Sequence, residues 1–345
     1  MTQSSIIPVF DGHNDVLLRL RRDGLNSVSA FLNGEAAGHI DLPRAHRGGL
    51  AGGLCAAFIP SPDQPRDGNG DFPAPAPPHA LNETLAMFRL LLAIEAKSDG
   101  ALKVCRSADD IRSSIADGRF AAVFHIEGAE AIAADLDALY VLHQAGLRTL
   151  GPVWSRPNVF AYGVPFRFPA TPDIGPGLSD AGKDLVRACN ELRIMIDLSH
   201  MNEQGFWDIA QLSKAPLVAS HSNAHALSPH SRNLTDKQLD AIRDTDGLVG
   251  INFGVLFLRD DGVRNPDTSL DVLVRHIVYI ADRIGIERVA LGSDFDGTTI
   301  PQSLGDASGL PKLIDALRAH GFDDQAIRNI AHENWIRVLE RSWGA

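Results

Sequence analysis

The 345-residue sequence has few cysteines and contains no long apolar run. Its three cysteines, Cys55, Cys105 and Cys189, lie far apart, which argues against a disulfide framework and against a CxxC zinc site. No apolar segment approaches the roughly 20 residues that span a bilayer. Met1–Ser5 does not begin a basic segment followed by an apolar one, the pattern of a secretory signal. We therefore expect a reduced, cytoplasmic protein that has no membrane partner.

Basic residues are scarce relative to acidic ones. The chain has 32 Lys and Arg against 43 Asp and Glu, a formal net charge of −11 at pH 7. Because nucleic-acid binding needs concentrated lysine and arginine, no nucleic-acid partner is expected. No GxGxxG or GxxxxGKS/T motif follows an apolar run, so the usual glycine-rich phosphate-binding loops are absent as well.

Short apolar runs rich in β-branched residues predict eight buried strands. The runs are Ile6–Phe10, Leu50–Ile59, Ala121–Ile126, Leu147–Val153, Ile194–Leu198, Leu217–Ser220, Leu248–Phe253 and Val289–Gly292. Helical spacing appears between them, at Leu81–Ser98, Ala134–Ala145, Asp180–Glu191, Asp236–Asp244, Ser269–Ile284 and Pro311–His320. This alternation predicts an α/β fold, a (β/α)8 TIM-type barrel that spans residues 1–345 as a single domain.

Two predicted loops are longer than a barrel requires. Pro60–Pro78 contains seven prolines, and Ser155–Gly177 mixes proline and glycine with aromatic residues. Both follow predicted strands on the face where barrel active sites lie. They are either surface excursions or a lid and wall of a substrate site.

Polar side chains stand at the C-terminal ends of several predicted strands. His13 and Asp15 end the first strand two residues apart, so in an extended chain both project to the same side. Glu127 ends the third strand, and its two carboxylate oxygens suit a residue that bridges two cations. His200 and His221 end the fifth and sixth strands, where their imidazoles can converge on one ion.

These donors predict a metal-dependent hydrolase with two divalent ions. Imidazole and carboxylate without thiolate suit Zn²⁺, with Mn²⁺ and Co²⁺ as alternatives. The first ion is assigned to His13, Asp15 and Glu127, and the second to Glu127, His200 and His221. At the end of the eighth strand, Asp294 is either a further ligand or the acceptor of a proton from metal-bound water. His125 lies one layer deeper and is expected to make hydrogen bonds in the core or to a ligand.

The sequence resembles the membrane (renal) dipeptidase family, the M19 metallopeptidases of the amidohydrolase-like barrels. The resemblance runs from about residue 8 to about residue 340. The segments that carry it are Asp11–Asp15, Ile126–Gly128, Asp197–His200, Ser220–Asn223, Arg232–Asn233, Gly292–Gly297 and Asn334–Trp335. It implies the metal ligands named above, Asp294 as the acid–base that handles the proton of a bridging water, and Arg232 as the group that binds the substrate's terminal carboxylate.

One position departs from the family pattern. Many members carry a histidine after the fourth strand that steadies the developing oxyanion, and Trp154 stands there in this sequence. Arg156 and Asn158 are the candidate replacement donors, and all three are candidate substrate-binding residues. Dimers are common in the family, so a homodimer is one expected state.

We therefore expect a zinc-dependent dipeptidase that acts on dipeptides with a free C-terminal carboxylate, L,D-dipeptides included, through a metal-bridging hydroxide. One alternative keeps the barrel and the metals but hydrolyses another amide, a lactone or a phosphoester. In that case Arg232 would matter little for neutral substrates. A second alternative is a non-catalytic metal or peptide binder, which has no use for a proton acceptor at Asp294.

Overall fold

A computed structural model describes residues 6–68 and 70–344 of the chain. Met1–Ser5, where no secretory signal is expected, lies outside the described residues. Nine strands form within the described part. They are β1 (Val9–Asn14), β2 (Leu50–Phe58), β3 (Leu102–Val104), β4 (Phe120–Glu127), β5 (Thr149–Gly151), β6 (Met195–Ile196), β7 (Val218–Ala219), β8 (Leu248–Ile251) and β9 (Val289–Leu291).

The strands alternate with helices over most of the chain. The helices are α1 (Val16–Arg21), α2 (Ser27–Asn33), α3 (Leu42–Gly48), α4 (Pro77–Lys97), α5 (Ala108–Ala116), α6 (Asp137–Ala145), α7 (Asp180–Leu192), α8 (Glu203–Leu212), α9 (Asp236–Asp244), α10 (Val255–Leu258), α11 (Leu270–Ile284), α12 (Leu310–Ala319), α13 (Asp324–Arg328) and α14 (Asn334–Trp343). A π-helical turn, Asn329–Glu333, joins the last two. None of the helices in the described residues is both long and apolar enough to cross a bilayer.

Local capping sets where several helices begin. The side chains of Ser107, Ser179 and Asn202 each accept a hydrogen bond from a backbone amide three residues further on, at the starts of α5, α7 and α8. Helix α4 begins at Pro77, four residues before the predicted start, because proline is favoured in the first turn of a helix.

The eight predicted strands close into a ring. Strands β1, β2, β4, β5 and β6 form one parallel sheet in that order, and β7, β8 and β9 form another. Single parallel bridges join the two sheets at both edges, between Asp197 and Val218 and between Asn14 and Phe295. At these seams the amide of Leu198 donates to the carbonyl of Val218 and that of Asp15 to the carbonyl of Phe295, both at 2.8 Å. The predicted (β/α)8 barrel is confirmed.

One of the nine strands, β3, was not predicted. It pairs with the first part of β4, from Phe120 to Ala122, whereas β5 pairs with the last part, from His125 to Glu127. Strand β3 thus extends the sheet without entering the ring. Its three residues, one of them lysine, are too few and too polar for periodicity to reveal.

The interior of the barrel is filled by apolar side chains below the strand ends. Trp335 packs there with Phe10, Leu54, Val123, Val218 and Leu248. The indole of Trp335 passes so close to Gly12 that a Cβ atom at that glycine would lie 2.3 Å from it. Polar groups are therefore left to the C-terminal rim, the usual location of a barrel active site.

Candidate metal centre

The predicted ligands meet in one buried cluster at the C-terminal rim. They are His13, Asp15, Glu127, His200 and His221, each at most 5% exposed. Glu127 stands at the centre. Its Oε1 lies 2.9 Å from Nε2 of His200, 3.3 Å from Nε2 of His221 and 3.7 Å from Nε2 of His13. Side chains far apart in sequence thus aim their lone-pair atoms at one small region.

His13 and Asp15 meet for a reason other than the one predicted. Strand β1 runs to Asn14 and so includes His13, whereas Asp15 is the residue before α1 and has a backbone that is not extended. The turn into the helix, and not strand alternation, brings Asp15 Oδ2 to 3.6 Å from His13 Nε2. The His13 ring also stacks on that of His221, with centroids 3.9 Å apart.

The cluster leaves buried polar atoms without hydrogen-bond partners. Both ring nitrogens of His13 and Oδ1 of Asp15 make no hydrogen bond within the described residues. Burying such groups unpaired costs free energy unless something else binds them. Ligand atoms of His13, Glu127 and His221, and of His13, Asp15 and Asp294, lie within 4.8 Å of one another. The donor set therefore fits divalent metal ions, which imidazole and carboxylate groups bind together.

The electrostatics of the cluster also favour a cation. Burial raises the pKa of Glu127 to about 8, and the neighbouring Asp15 and Asp294 carboxylates add to the rise. Burial by itself would lower the pKa of His13, but the negative charges of Glu127 and Asp15 raise it to about 10. For His200 and His221, burial holds the pKa well below its ordinary value. Those two imidazoles are therefore neutral at neutral pH, which is the form that binds metal.

Asp294 borders the cluster on the side of β9. Its backbone is left-handed, with φ of 58°, as is that of His200, with φ of 68°. Such conformations in residues other than glycine gather at functional sites. The side-chain amide of Asn252 donates to Asp294 Oδ2 at 2.9 Å, and burial raises the pKa of Asp294 to about 6. A carboxyl group with a pKa in this range can exchange a proton near neutral pH.

A cavity of about 240 Å³ opens above the cluster. Its polar surface near the cluster comes from Asp15, Glu127, His200, Asp294, Asp296 and Thr298. Apolar side chains wall it, namely Leu18, Phe58, Trp154, Phe166, Leu256 and Phe257. Trp154 meets Phe166 edge to face with ring centroids 5.5 Å apart, so residue 154 and the long loop after it form part of the wall. Arg22 and Arg264 lie at the exposed mouth.

Arg232 is buried and is not among the residues that line this cavity, but its guanidinium carbon lies 5.5 Å from the ring centroid of Phe257, which is. Its Nη1 donates to the hydroxyl of Ser222 at 3.2 Å and its Nη2 to the carbonyl of His221 at 3.1 Å, while Nε has no partner in the described residues. Burial lowers the pKa of Arg232 to about 10, against the opposing effect of the Asp294 and Glu127 charges. The guanidinium therefore remains charged at neutral pH next to the metal ligands.

The family model for membrane dipeptidase, peptidase family M19, matches residues 3–342. The chain belongs to this family. A metallo peptidase from Rhodobacter sphaeroides, solved with a phosphinate mimic of the dipeptide L-Ala-D-Ala, is 52% identical at a TM-score of 0.94 and covers 98% of this chain and 100% of its own. The dipeptidase AC, an M19 metallo peptidase, is 53% identical at a TM-score of 0.94, covering 99% of this chain and 100% of its own.

A further relative, an uncharacterised protein in the pqqA 5' region of Klebsiella pneumoniae, is 50% identical over 263 residues, which are 76% of this chain and 96% of that protein. The family and its solved members make this protein a metal-dependent dipeptidase.

Arg156 of this M19 dipeptidase lies behind the cavity wall, with its guanidinium carbon 5.3 Å from the ring centroid of Trp154. It is fully buried, and its guanidinium forms an ion pair with Glu130 at 2.7 Å. The remaining donors bond the carbonyl of Ile59 at 2.8 Å and the hydroxyl of Ser61 at 2.9 Å. These contacts use three of the five guanidinium hydrogens, and the predicted role as a replacement oxyanion donor stays a prediction.

Asn158 is likewise occupied within its own loop. Its side-chain amide donates to the carbonyl of Pro152 at 2.8 Å, and its Oδ1 accepts from the amides of Phe160 and Ala161. The donor role of Asn158 stays a prediction as well, and of the four residues predicted to contact substrate, Arg232 included, only Trp154 lines the cavity.

Sequence reasoning missed Asn252, the partner of Asp294. It follows the last residue of β8, Ile251, and so occupies the same kind of strand-end position as the predicted ligands. The change from an apolar strand to a polar residue was the available signal. Asparagine is not a common metal ligand, but its amide is well suited to hold a carboxylate.

Proposed function

We propose that this dipeptidase uses two zinc ions to hydrolyse dipeptides that have a free C-terminal carboxylate, including those that end in a D-amino acid. The observation that carries the proposal is the placement of one Glu127 oxygen within 3.7 Å of three histidine Nε2 atoms. His13 and Asp15 would hold the first ion together with Glu127, and His200 and His221 would hold the second. The absence of thiolate from this donor set is typical of catalytic rather than structural zinc.

Two ions bound there would make a water molecule a better nucleophile and polarise the peptide carbonyl. Side chains of the protein would transfer the proton of that water molecule. Asn252 holds Oδ2 of Asp294, which leaves Oδ1 to take the proton of the attacking water and to deliver it to the departing amine. Four aromatic side chains of the cavity wall, Phe58, Trp154, Phe166 and Phe257, would shield part of the substrate from water.

The cavity limits the size of the substrate, and Arg232 selects for a free C-terminal carboxylate. A volume of about 240 Å³ suits a ligand smaller than a typical drug molecule, such as a dipeptide. We infer that the unpartnered Nε of Arg232 binds the terminal carboxylate by a charge-assisted hydrogen bond. The phosphinate mimic of L-Ala-D-Ala in the Rhodobacter sphaeroides relative supports a D-residue at that end.

The test compares dipeptides with their C-terminal amides, using protein stripped of metal and reloaded with zinc. We expect the loaded protein alone to cleave L,L- and L,D-dipeptides, and Arg232→Met to lower kcat/KM for free dipeptides about 10- to 100-fold. The dipeptide amides are the control, because they lack the group that Arg232 binds and should be affected little. Failure of the loaded protein to cleave any dipeptide would refute the proposal. An equal loss for both substrate classes would refute the role of Arg232.

A further inference from the structure

Beneath the ligand cluster lies a buried carboxylate that the proposed reaction does not use. Asp197, the first residue of the Asp-Leu-Ser-His segment, is only 1% exposed. Its Oδ1 accepts hydrogen bonds from the amides of Ser199 at 3.0 Å and Ser220 at 2.8 Å. Its Oδ2 accepts from the hydroxyl of Ser220 at 2.5 Å and lies 3.6 Å from Nε2 of His125. These bonds fix the carboxylate in one orientation.

The hydroxyl of Ser220 connects this carboxylate to a metal ligand. Ser220 Oγ lies 2.7 Å from Nδ1 of His221. Because the hydroxyl proton is committed to Asp197, the oxygen accepts the proton of Nδ1. That places the lone pair of His221 on Nε2, which is 3.3 Å from Glu127 Oε1 in the ligand cluster. Direct contact between Asp197 and His221 is longer, at 4.0 Å.

We propose that Asp197, acting through Ser220, orients His221 and strengthens it as a metal ligand. A histidine whose second nitrogen donates toward a carboxylate is held in one tautomer and is more basic at the coordinating nitrogen. Here the hydroxyl of Ser220 lies between the carboxylate and the imidazole, and it transmits the polarising effect of Asp197 to His221. The inference rests on the proposed function, because it requires that His221 bind a metal ion.

His200, the other imidazole assigned to that ion, has weaker support. Its Nδ1 lies 2.7 Å from the hydroxyl of Ser155, which makes no bond to a carboxylate in the described part of the chain. The two histidines thus have similar first contacts but different second ones. Of these two histidines, only His221 has in the described residues a carboxylate bonded to the serine at its Nδ1.

The opposite seam of the barrel contains a matched control. Asp11 is as buried as Asp197, and its two oxygens accept from the amide of Ser293 at 2.6 Å and the hydroxyl of Ser293 at 2.8 Å. That hydroxyl lies 3.3 Å from the backbone carbonyl of His13, not from an imidazole nitrogen. Asp11 and Ser293 therefore reproduce the burial and bonding of the first pair without contacting a ligand side chain.

The experiment measures zinc bound per chain across a series of buffered free zinc concentrations. The variants are Asp197→Asn, Ser220→Ala and their combination, with Asp11→Asn and Ser293→Ala as controls. We expect the affinity for one of two ions to fall about 10- to 100-fold in either single variant. The double variant should lose little more than a single one, because both substitutions interrupt the same contact. The controls should keep the wild-type affinity for both ions.

Each result has a distinct meaning. Unchanged zinc affinity in Ser220→Ala, the milder substitution, would overturn the inference even where Asp197→Asn does not fold. An equal loss of affinity in Asp11→Asn or Ser293→Ala would also overturn it, since the effect would then be general loosening of the barrel. If the unsubstituted protein binds fewer than two ions, the proposed function fails instead.

Discussion

The buried ion pair between Arg156 and Glu130 gives the sharpest test of how the wall of the cavity is held. Arg156→Met removes a 2.7 Å ion pair and two further hydrogen bonds, and it leaves the Glu130 carboxylate buried with neither oxygen partnered. Breaking one side of a buried pair costs about 3–5 kcal/mol. Glu130→Gln should cost a similar amount, because the guanidinium then lacks its counter-charge. The double variant should be less destabilised than the sum of the two, since no isolated charge remains.

Urea unfolding of the two single variants and the double variant measures these free energies in a double-mutant cycle. Arg112→Met is a suitable control, because Arg112 forms a well-aligned but exposed pair with Glu340, worth at most about 1 kcal/mol. The reasoning would be refuted if Arg156→Met cost no more stability than Arg112→Met. A loss of turnover with unchanged stability would instead support the predicted action of Arg156 on the substrate.

Three other predictions concern the ligand cluster. Asp294→Asn should lower kcat by about 10²- to 10⁴-fold while elemental analysis still finds the metal, and near-normal turnover would exclude its role in proton transfer. Burial raises the pKa of Asp294 to about 6 in the metal-free protein, and bound cations would lower it, so turnover should rise with pH at or below that value, because only the carboxylate can accept a proton; a kcat that does not fall between about pH 7 and about pH 4 would contradict this. In metal-free protein, the raised pKa values of Glu127 (about 8) and His13 (about 10) mean that the folded state holds protons that the unfolded chain has released. Its stability should therefore fall from about pH 7 to about pH 9, and restoring zinc at a thousandfold excess over its Kd should add about 4 kcal/mol; calorimetry that finds neither change would rule out this cluster as the binding site.

The barrel could be predicted from the sequence because buried parallel strands are short and apolar and end in polar residues. The same transition located His13, Glu127, His200 and His221, since the carboxyl ends of barrel strands share one rim. The strand boundaries were less accurate. β1 runs to Asn14 rather than ending at Phe10, because pairing with β2 and not composition decides where the extended backbone stops.

What the sequence could not supply was the pairing of distant polar side chains. Nothing near Arg156 indicates that Glu130, 26 residues earlier, will occupy its guanidinium. Asp197 was visible in a motif, but its hydrogen bond to Ser220 depends on the seam between β6 and β7, which no local pattern specifies. The cytoplasmic location, the homodimer and the single domain over residues 1–345 stay predictions.

The ring of strands is joined at two seams by single bridges, and the ligand cluster lies across both. Glu127 and His200 belong to the arc of five strands, whereas His221 and Asp294 belong to the arc of three. An ion bound by both Glu127 and His221 would cross-link the two arcs at a seam where a single bridge joins the strands. The metal would then stabilise the barrel that positions its ligands. Removing it would abolish catalysis and also weaken the closure of the ring of strands.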